Sequence, residues 1–548
     1  MNSIKSAYYL KRVFFPKSPT VNIRSLFIRF LTFLILLISV DTNAQESKFS
    51  IFSKDSIDNY IIKAMREWGI PGISVVIIKD GEIFLEKGYG ITSINSKKSV
   101  NSNTIFPIAS VTKSFTGTIM ATLEADGKIS MDDLVTRWLP WFSMKDELYS
   151  CQLTLTDILS HRSGWKTFQG DLLNTESSMD FRTMVEKFSA QRPAYPIRTK
   201  FGYSNFGFMI AGLCIQNITG KSWNEYLKER ILTPLGMKRT LADETDIKAA
   251  NNVVTGHTNI RGNSGDSLIA LNKEKIEPFS HGGIYSTSHD LGIWIRTLLN
   301  GGVNEGDEII PKKAIDKAWS SHTIVGKSRA ANREFYLKTY GLGWEIIEYN
   351  GFEIVQHGGA YAGGLSMLAM IPSKKFGIAI LTNHDDHLLQ ETLKWQMIDA
   401  IIGREAPDYT AMTIKRQRER RIGTSIEEKK ETGIDKPSKK QFITNISDIL
   451  GTYKCDYYGD AYIDRVNNKI ILTLQYHPTI KGEITVADST NLICNYNHPM
   501  FGQVTLPFEF KRERDKSGKE SVKVLGFKLF VDPFIESDGY SFKFCSKP

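Results

Sequence analysis

The 548-residue sequence predicts an α/β unit, then a charged linker, then a small all-β unit. Three observations predict this order. Runs rich in β-branched residues stand at both ends of residues 72–382, with helical periodicity between them. Residues 404–442 lose that periodicity and carry mixed charge. From about Asp448 short apolar or alternating runs recur between turn residues to the end of the chain.

Taken in order, the first 44 residues have the physics of an export signal. A basic region ends at Arg29, the uncharged run Phe30 to Val40 follows, and Thr42-Asn43-Ala44 supplies small residues before Gln45. The apolar run is shorter than the ~20 residues a spanning helix needs, so cleavage and a periplasmic or secreted product are expected. An uncleaved anchor is the alternative, and no membrane span is expected after cleavage. No Cys follows the run, so lipid attachment at a new N-terminal Cys is not indicated.

Residues 72–90 read as a hairpin about an Asp80-Gly81 turn. From Ser110 onward Val111, Phe115, Ile119, Met120 and Leu123 recur at helical spacing, and Asp126-Gly127 provides a stop. Further helical stretches cover 205–217, 223–231 and 290–299. Strand patterns return at 352–356, 365–371 and 376–382, the last two joined by a turn at 372–375. Strands at both ends of a helical region imply that the N-terminal hairpin lies beside the 352–382 strands.

The linker holds ten basic and five acidic residues between Lys415 and Lys440, with few apolar positions, and reads as a solvated tether or exposed helix. Mixed charge without interleaved aromatics argues against a nucleic-acid partner. The formal charge of +9 falls to about +4 once residues 1–44 are removed, which points to no polyanion. The runs 469–476, 503–510 and 522–531 in the tail suggest a small barrel or sandwich. Five cysteines permit at most two bridges, and a disulfide among Cys455, Cys494 and Cys545 is compatible with their spacing. None forms a Cys-x-x-Cys pair, so neither structural zinc nor a redox motif is expected.

Ser110 and Lys113 stand three apart at the start of a helix, on one face, in apolar surroundings that can lower the lysine's pKa. A serine that attacks an acyl carbon needs such a base, plus donors for the developing oxyanion. Ser163-Gly-Trp-Lys166 has the same spacing, but it crosses a helix end into a loop where that spacing implies no shared face, and it reads as coincidence. Tyr203 and Asn205, in Phe201-Gly-Tyr-Ser-Asn-Phe-Gly207, open an apolar helix. His357-Gly358-Gly359 ends a strand, where paired glycines let a ligand backbone come close.

In this order and at these separations the three motifs resemble those of the serine β-lactamase and penicillin-binding superfamily, in its class C-like branch. The resemblance covers about residues 53 to 403 and includes Ile105–Lys113, Ile158–Gly164, Tyr203-Ser-Asn205, Pro234–Met237, Gly282–Ser286, Tyr340–Trp344 and His357-Gly-Gly359. It implies an antiparallel sheet flanked by helices, with an all-α subdomain. It divides the chain into a signal peptide (1–44), a hydrolase domain (45–403), a charged linker (404–442) and a β-rich barrel-like domain (443–548) similar to the lipocalin-like domain often appended to such enzymes. It implies Ser110 as acylated nucleophile, Lys113 as its activating partner, Tyr203 as proton shuttle and Asn205 as orienting group. The oxyanion and substrate side would be formed by His357, Gly358, Gly359 and Ala360, with the backbone N–H groups of Ser110 and Ala360 as donors.

His357 stands where the family pattern has lysine. A largely neutral ring suits a substrate carboxylate less well, which weakens the expectation of penicillins or a free C-terminal D-Ala. The expected function is an exported serine hydrolase acting through a Ser110 acyl-enzyme on an amide, ester or peptide, of the D-amino-acid peptidase, carboxypeptidase or esterase type, with a β-lactam left open as substrate, and with no cofactor and no metal. A non-catalytic receptor or scaffold for cell-wall peptides is the alternative. An α/β-hydrolase is excluded because Gly202-Tyr-Ser-Asn-Phe-Gly207 has one residue too many for Gly-x-Ser-x-Gly. His384-Asp-Asp-His387 reads as a solvated loop rather than a metal cluster, and His161 as a packed helix end.

Overall fold

The computed structural model describes residues 53–547, apart from 263–264, 272–278, 328, 331–332, 335–336, 418, 420–445, 487–490, 499, 515–519, 533–534 and 537. The expected export segment and most of the charged linker lie outside the described residues.

Helix α1 (Lys54–Trp68) starts at Ser53, whose side chain accepts from Ser56 N–H, and stops at Gly69 in the left-handed region. Strands β1 (Gly72–Lys79) and β2 (Glu82–Ser93) form the expected hairpin. Its turn has φ of 55° at Asp80 and 84° at Gly81, the mirror-image geometry whose twist matches that of the strands. A short edge strand, β3 (Ser96–Ser99), follows. The central helix α2 (Thr112–Ala125) is buried from Thr112 to Leu123, and α3 (Leu155–Leu159), α4 (Asn205–Thr219) and α5 (Ser288–Leu299) follow.

The chain then returns to the sheet through β4 (Thr323–Gly326), β5 (Leu337–Tyr340), β6 (Glu345–Tyr349), β7 (Phe352–Tyr361), β8 (Gly364–Ile371) and β9 (Phe376–Thr382). The strand order β4-β5-β6-β7-β8-β9-β1-β2-β3 makes nine strands. The first and last segments meet at β1 and β9, with Val76 opposite Ala379, so the expected rejoining is what the fold does. Both strands, and β8 between β9 and β7, are buried on both faces, which is why they read as continuous apolar runs rather than alternating ones. Helix α5 packs on β1 and β9, while α6 (Leu389–Ile401) packs on β8, β9 and α1.

Between α2 and α5 most of the regular structure is helical, in short helices joined by long loops. Asp157 of α3 is fully buried and accepts from Thr154 N–H, from Arg162 Nε at 2.6 Å and from Arg198 Nη2 at 2.7 Å. These partners hold its carboxyl below the usual range against the burial that would raise it. Asp157→Ala strands two arginines, one of them 45% exposed. It is expected to cost about 2–3 kcal/mol, seen as a lower denaturation midpoint with an unchanged m-value.

Two expectations need correction. The stretch beginning at 404 is not all solvated: residues 409–417 are helical, Tyr409 is buried, and Tyr60 Oη lies 2.7 Å from Thr410 Oγ1. Apolar and hydroxyl side chains at its start dock it on α1 and α6. The His384–His387 loop is not solvated either. His384 and His387 are buried, Asp385 accepts from Gly363 N–H at 2.7 Å and Asp386 from Asn259 Nδ2 at 3.1 Å.

The tail closes into an eight-stranded antiparallel barrel, resolving the choice between barrel and sandwich. Its strands are β10 (Gly451–Cys455), β11 (Gly459–Val466), β12 (Lys469–Leu474), β13 (His477–Val486), β14 (Asn491–Tyr496), β15 (Gln503–Arg514), β16 (Glu520–Leu529) and β17 (Tyr540–Ser546). Pairing of β10 with β17 leaves no open sheet edge. Tyr453, Phe508, Phe527 and Phe542 fill its interior with edge-on and stacked ring pairs. All five cysteines are free, so the spacing-compatible disulfide among the last three does not form. Among the described residues no helix is long and apolar enough to cross a membrane.

Candidate active site

A cleft of about 1810 Å³ has Ser110, Tyr203, Asn205, His357, Gly358, Gly359 and Ala360 on its wall, so the structure gathers these expected residues from three separated segments. Lys113 lies buried beneath them.

Ser110 does not open the α-helix itself. It sits in a tight 3-10 turn, Ala109–Val111, that leads into α2, and Ala109 before it holds φ at 44°. A non-glycine residue in that region stores strain, and here the strain turns the serine toward the cleft while its neighbours from Thr104 to Ala109 stay buried. Lys113, one turn on, is fully buried, with Nζ 2.9 Å from Ser110 Oγ, 2.7 Å from Asn205 Oδ1 and 2.7 Å from the His281 carbonyl oxygen. Burial lowers its pKa to about 7, partly opposed by the Asp171 carboxyl. As a free amine it keeps two N–H bonds for Asn205 and His281 and turns its lone pair on the serine hydroxyl.

Tyr203 does not open a helix either. It lies two residues ahead of α4, which Ser204 caps by accepting from Gly207 N–H. Its ring covers Lys113, with Nζ 4.9 Å from the centroid. Burial pushes its phenol above the usual range, so it remains a protonated donor beside Ser110. His161 backs this ring at a centroid distance of 4.3 Å and accepts from Ser204 N–H at 3.0 Å. It is held neutral by burial and by Lys113, which bears out its reading as a packing residue.

The opposite wall is β7. Its pairing with β6 ends at Gln356, so His357 to Ala360 keep one edge free of any strand, and this edge faces the Ser110 turn. A Cβ on Gly359 would lie 2.3 Å from the Ile108 carbonyl oxygen and 3.1 Å from Ser110 N, so only glycine allows the approach. Gly343, at φ of 77°, does the same for the β5–β6 turn, where a Cβ would meet the Lys113 carbonyl oxygen at 2.1 Å. His357 donates from Nδ1 to the Gly358 carbonyl (2.6 Å) and accepts at Nε2 from Tyr340 Oη (2.7 Å). Burial brings its pKa down to about 4 despite the Glu345 carboxylate nearby, so the ring is neutral at physiological pH.

Several groups at the site were not among the expected site residues. Asp171 accepts from Asn205 Nδ2 at 2.6 Å, Tyr340 polarises His357, and His281 lends its carbonyl to Lys113. Ser163 is buried away from chemistry and Lys166 pairs with Asp538 at 2.7 Å, so the second Ser-x-x-Lys has no lysine turned on its serine. Among the described residues no group of three His, Cys, Asp or Glu is placed to hold a metal ion.

A family model described as Beta-lactamase matches residues 57–400. The chain belongs to the β-lactamase family. Similar proteins include Protein flp of Staphylococcus aureus strain MW2, 26% identical over 341 residues, which are 60% of this chain and 63% of that one. The Unguisins hydrolase ungD' of Aspergillus campestris is 28% identical over 364 residues, 63% of this chain and 66% of its own. The chain thus spans just under two thirds of the length of these curated relatives. The octameric penicillin-binding protein homologue from Pyrococcus abyssi shares the fold, with a TM-score of 0.55 at 21% identity, over 89% of this chain and 99% of that one.

Proposed function

We propose that this β-lactamase-family chain is an exported serine hydrolase that forms an acyl-enzyme on Ser110 with an amide, ester or peptide substrate lacking a carboxylate at the His357 position. The observation that carries the reading is the contact between Ser110 Oγ and a buried lysine amine whose pKa is near 7. In acylation the Ser110 O–H proton passes to Lys113 Nζ as Oγ bonds to the carbonyl carbon. The oxyanion accepts from backbone N–H groups of Ser110 and the free edge of β7 at Ala360. Tyr203, kept as a phenol, relays the proton from Lys113 to the leaving group as the carbon–leaving-group bond breaks. Water then attacks the ester by the same route in reverse.

The neutral ring of His357, already engaged with Tyr340 and its own neighbour's carbonyl, supports the substrate choice. It offers no cation for a carboxylate, which would also lose hydration in the cleft. Export rests on the N-terminal segment, whose charge and apolar run fit a cleaved signal.

A fluorophosphonate is expected to add one covalent label to the chain, on the peptide containing Ser110, and none in Ser110→Ala. Label elsewhere would overturn the assignment. A label without turnover of any ester, amide or lactam would favour the receptor. Within a substrate panel, p-nitrophenyl esters and D-amino-acid amides are expected to be cleaved faster than nitrocefin or peptides ending in free D-Ala. A reversed order would remove the substrate choice while leaving the nucleophile in place.

A further inference from the structure

The cleft has a wall that the β-lactamase-family match does not include. Ile480, Asn497, His498, Met500 and Ile535, all from the barrel, line the same cavity as Ser110. Beside Ile535, in the segment between β16 and β17, Glu536 is only 3% exposed. Its Oε1 accepts from Gly170 N–H at 2.8 Å, and its Oε2 accepts from Leu172 N–H at 3.2 Å and from Tyr540 Oη–H at 2.9 Å. The residue between those two amides is Asp171.

From Asp171 the contacts run unbroken to the serine. Asp171 Oδ2 accepts a hydrogen bond from Asn205 Nδ2–H at 2.6 Å, which leaves the other end of that amide, Oδ1, to accept from Lys113 at 2.7 Å. Lys113 in turn lies 2.9 Å from Ser110 Oγ. Were the Asn205 amide reversed, it would present N–H groups to the lysine and the lysine would lose its acceptor. Asp171 therefore sets the polarity of Asn205, and the backbone on both sides of Asp171 is fastened by a carboxylate from the other end of the chain.

We propose that Glu536 is a positioning residue of the acyl-transfer site, through which the barrel holds Asp171, Asn205 and Lys113 in register with Ser110. The proposal rests on Ser110 being the nucleophile. Other contacts also fasten this segment to the barrel: Ser178 N–H to the Tyr476 carbonyl at 2.7 Å, His477 Nε2 to the Thr175 carbonyl at 2.8 Å, and the exposed Lys166–Asp538 pair. None of them brackets Asp171. Burial raises both carboxyls, Asp171 to about 8 and Glu536 to about 7, and the charge of Glu536 raises Asp171 further. A second buried carboxyl beside the first opposes folding, so mere docking of the barrel would be better served by a neutral acceptor.

The test compares full-length wild type with Glu536→Gln, Tyr540→Phe and Asp538→Asn. It follows the saturating rate of fluorophosphonate labelling at Ser110, the half-saturating probe concentration, and the melting temperature. Glu536→Gln replaces one of two acceptors with an N–H donor facing the amides. It is expected to slow saturating labelling by about 10- to 100-fold while half-saturation changes little. Tyr540→Phe, which keeps both amide bonds but loosens Glu536, should shift the same rate in the same direction by a smaller factor. Asp538→Asn, which breaks only the surface pair, should label at the wild-type rate. A wild-type rate in Glu536→Gln, or equal losses in Glu536→Gln and Asp538→Asn, would overturn the proposal. If Glu536→Gln does not fold, an unchanged rate in Tyr540→Phe overturns it instead. Failure of wild type to label at Ser110 would bring down the nucleophile reading, and the role of Glu536 with it, a result distinct from any difference among the variants.

Discussion

Lys113→Met is expected to lower kcat/KM for an activated ester by about 10³- to 10⁴-fold, the upper range for loss of a general base. Methionine keeps the volume and apolar character of the buried stem, so the fold should persist, but it offers no lone pair to the serine proton. The same base fixes the pH dependence. Burial brings the Lys113 pKa to about 7, so the amine is protonated and inert below that value and free above it. Wild-type kcat/KM should therefore rise as pH climbs through about 7 and level off on the alkaline side, and Lys113→Met should lose this step. On the proposed mechanism Ser110 and Lys113 act as one unit, so Ser110→Ala combined with Lys113→Met should be no worse than the poorer single variant. A wild-type profile flat between roughly pH 5.5 and 8.5, or a loss under about tenfold in Lys113→Met, would show that another group takes the proton.

How much of this could be read in the sequence depended on whether the physics was local. Strand β1 and the strands at 364–382 were legible because burial on both faces leaves nearly continuous apolar runs, and the hairpin turn because Asp80-Gly81 can adopt its two positive φ values. Ser110 and Lys113 were legible because one helical turn joins them. The positions of Tyr203 and Ser110 relative to their helices were missed by two residues each, since a cap at Ser204 and a 3-10 turn at Ala109–Val111 leave little trace in apolar periodicity. Asp171 and Glu536 had no signature at all. Their partners are an asparagine 34 residues away and backbone amides 366 and 364 residues away, and a single carboxylate looks the same in sequence whether it is solvated or buried. The docking of 409–417 was hidden for the same reason, because the basic residues from Lys415 onward masked Tyr409 and Thr410, whose hydroxyl partners come from α6 and α1.

Gly359→Ala is expected to cost about 10²-fold or more in kcat, comparable to loss of an oxyanion donor. The added methyl would sit 2.3 Å from the Ile108 carbonyl oxygen and 2.3 Å from Ser366 Oγ, which itself donates to that carbonyl at 2.7 Å. Neither can yield cheaply: Ile108 is fully buried backbone next to the strained Ala109, and Ser366 is locked in β8 opposite Gly359 itself. Relief must come from moving β7 away from the Ser110 turn, which separates the two backbone donors proposed for one oxyanion. Gly358→Ala is the internal comparison. Its methyl would meet the tip of the flexible Met367 side chain at 3.3 Å, so the strand can stay in place and the loss should stay within about tenfold. Steady-state kinetics on the two variants, with melting curves to confirm folding, decide the matter. Equal losses in both would mean that the free edge of β7 does not set the geometry around Ser110.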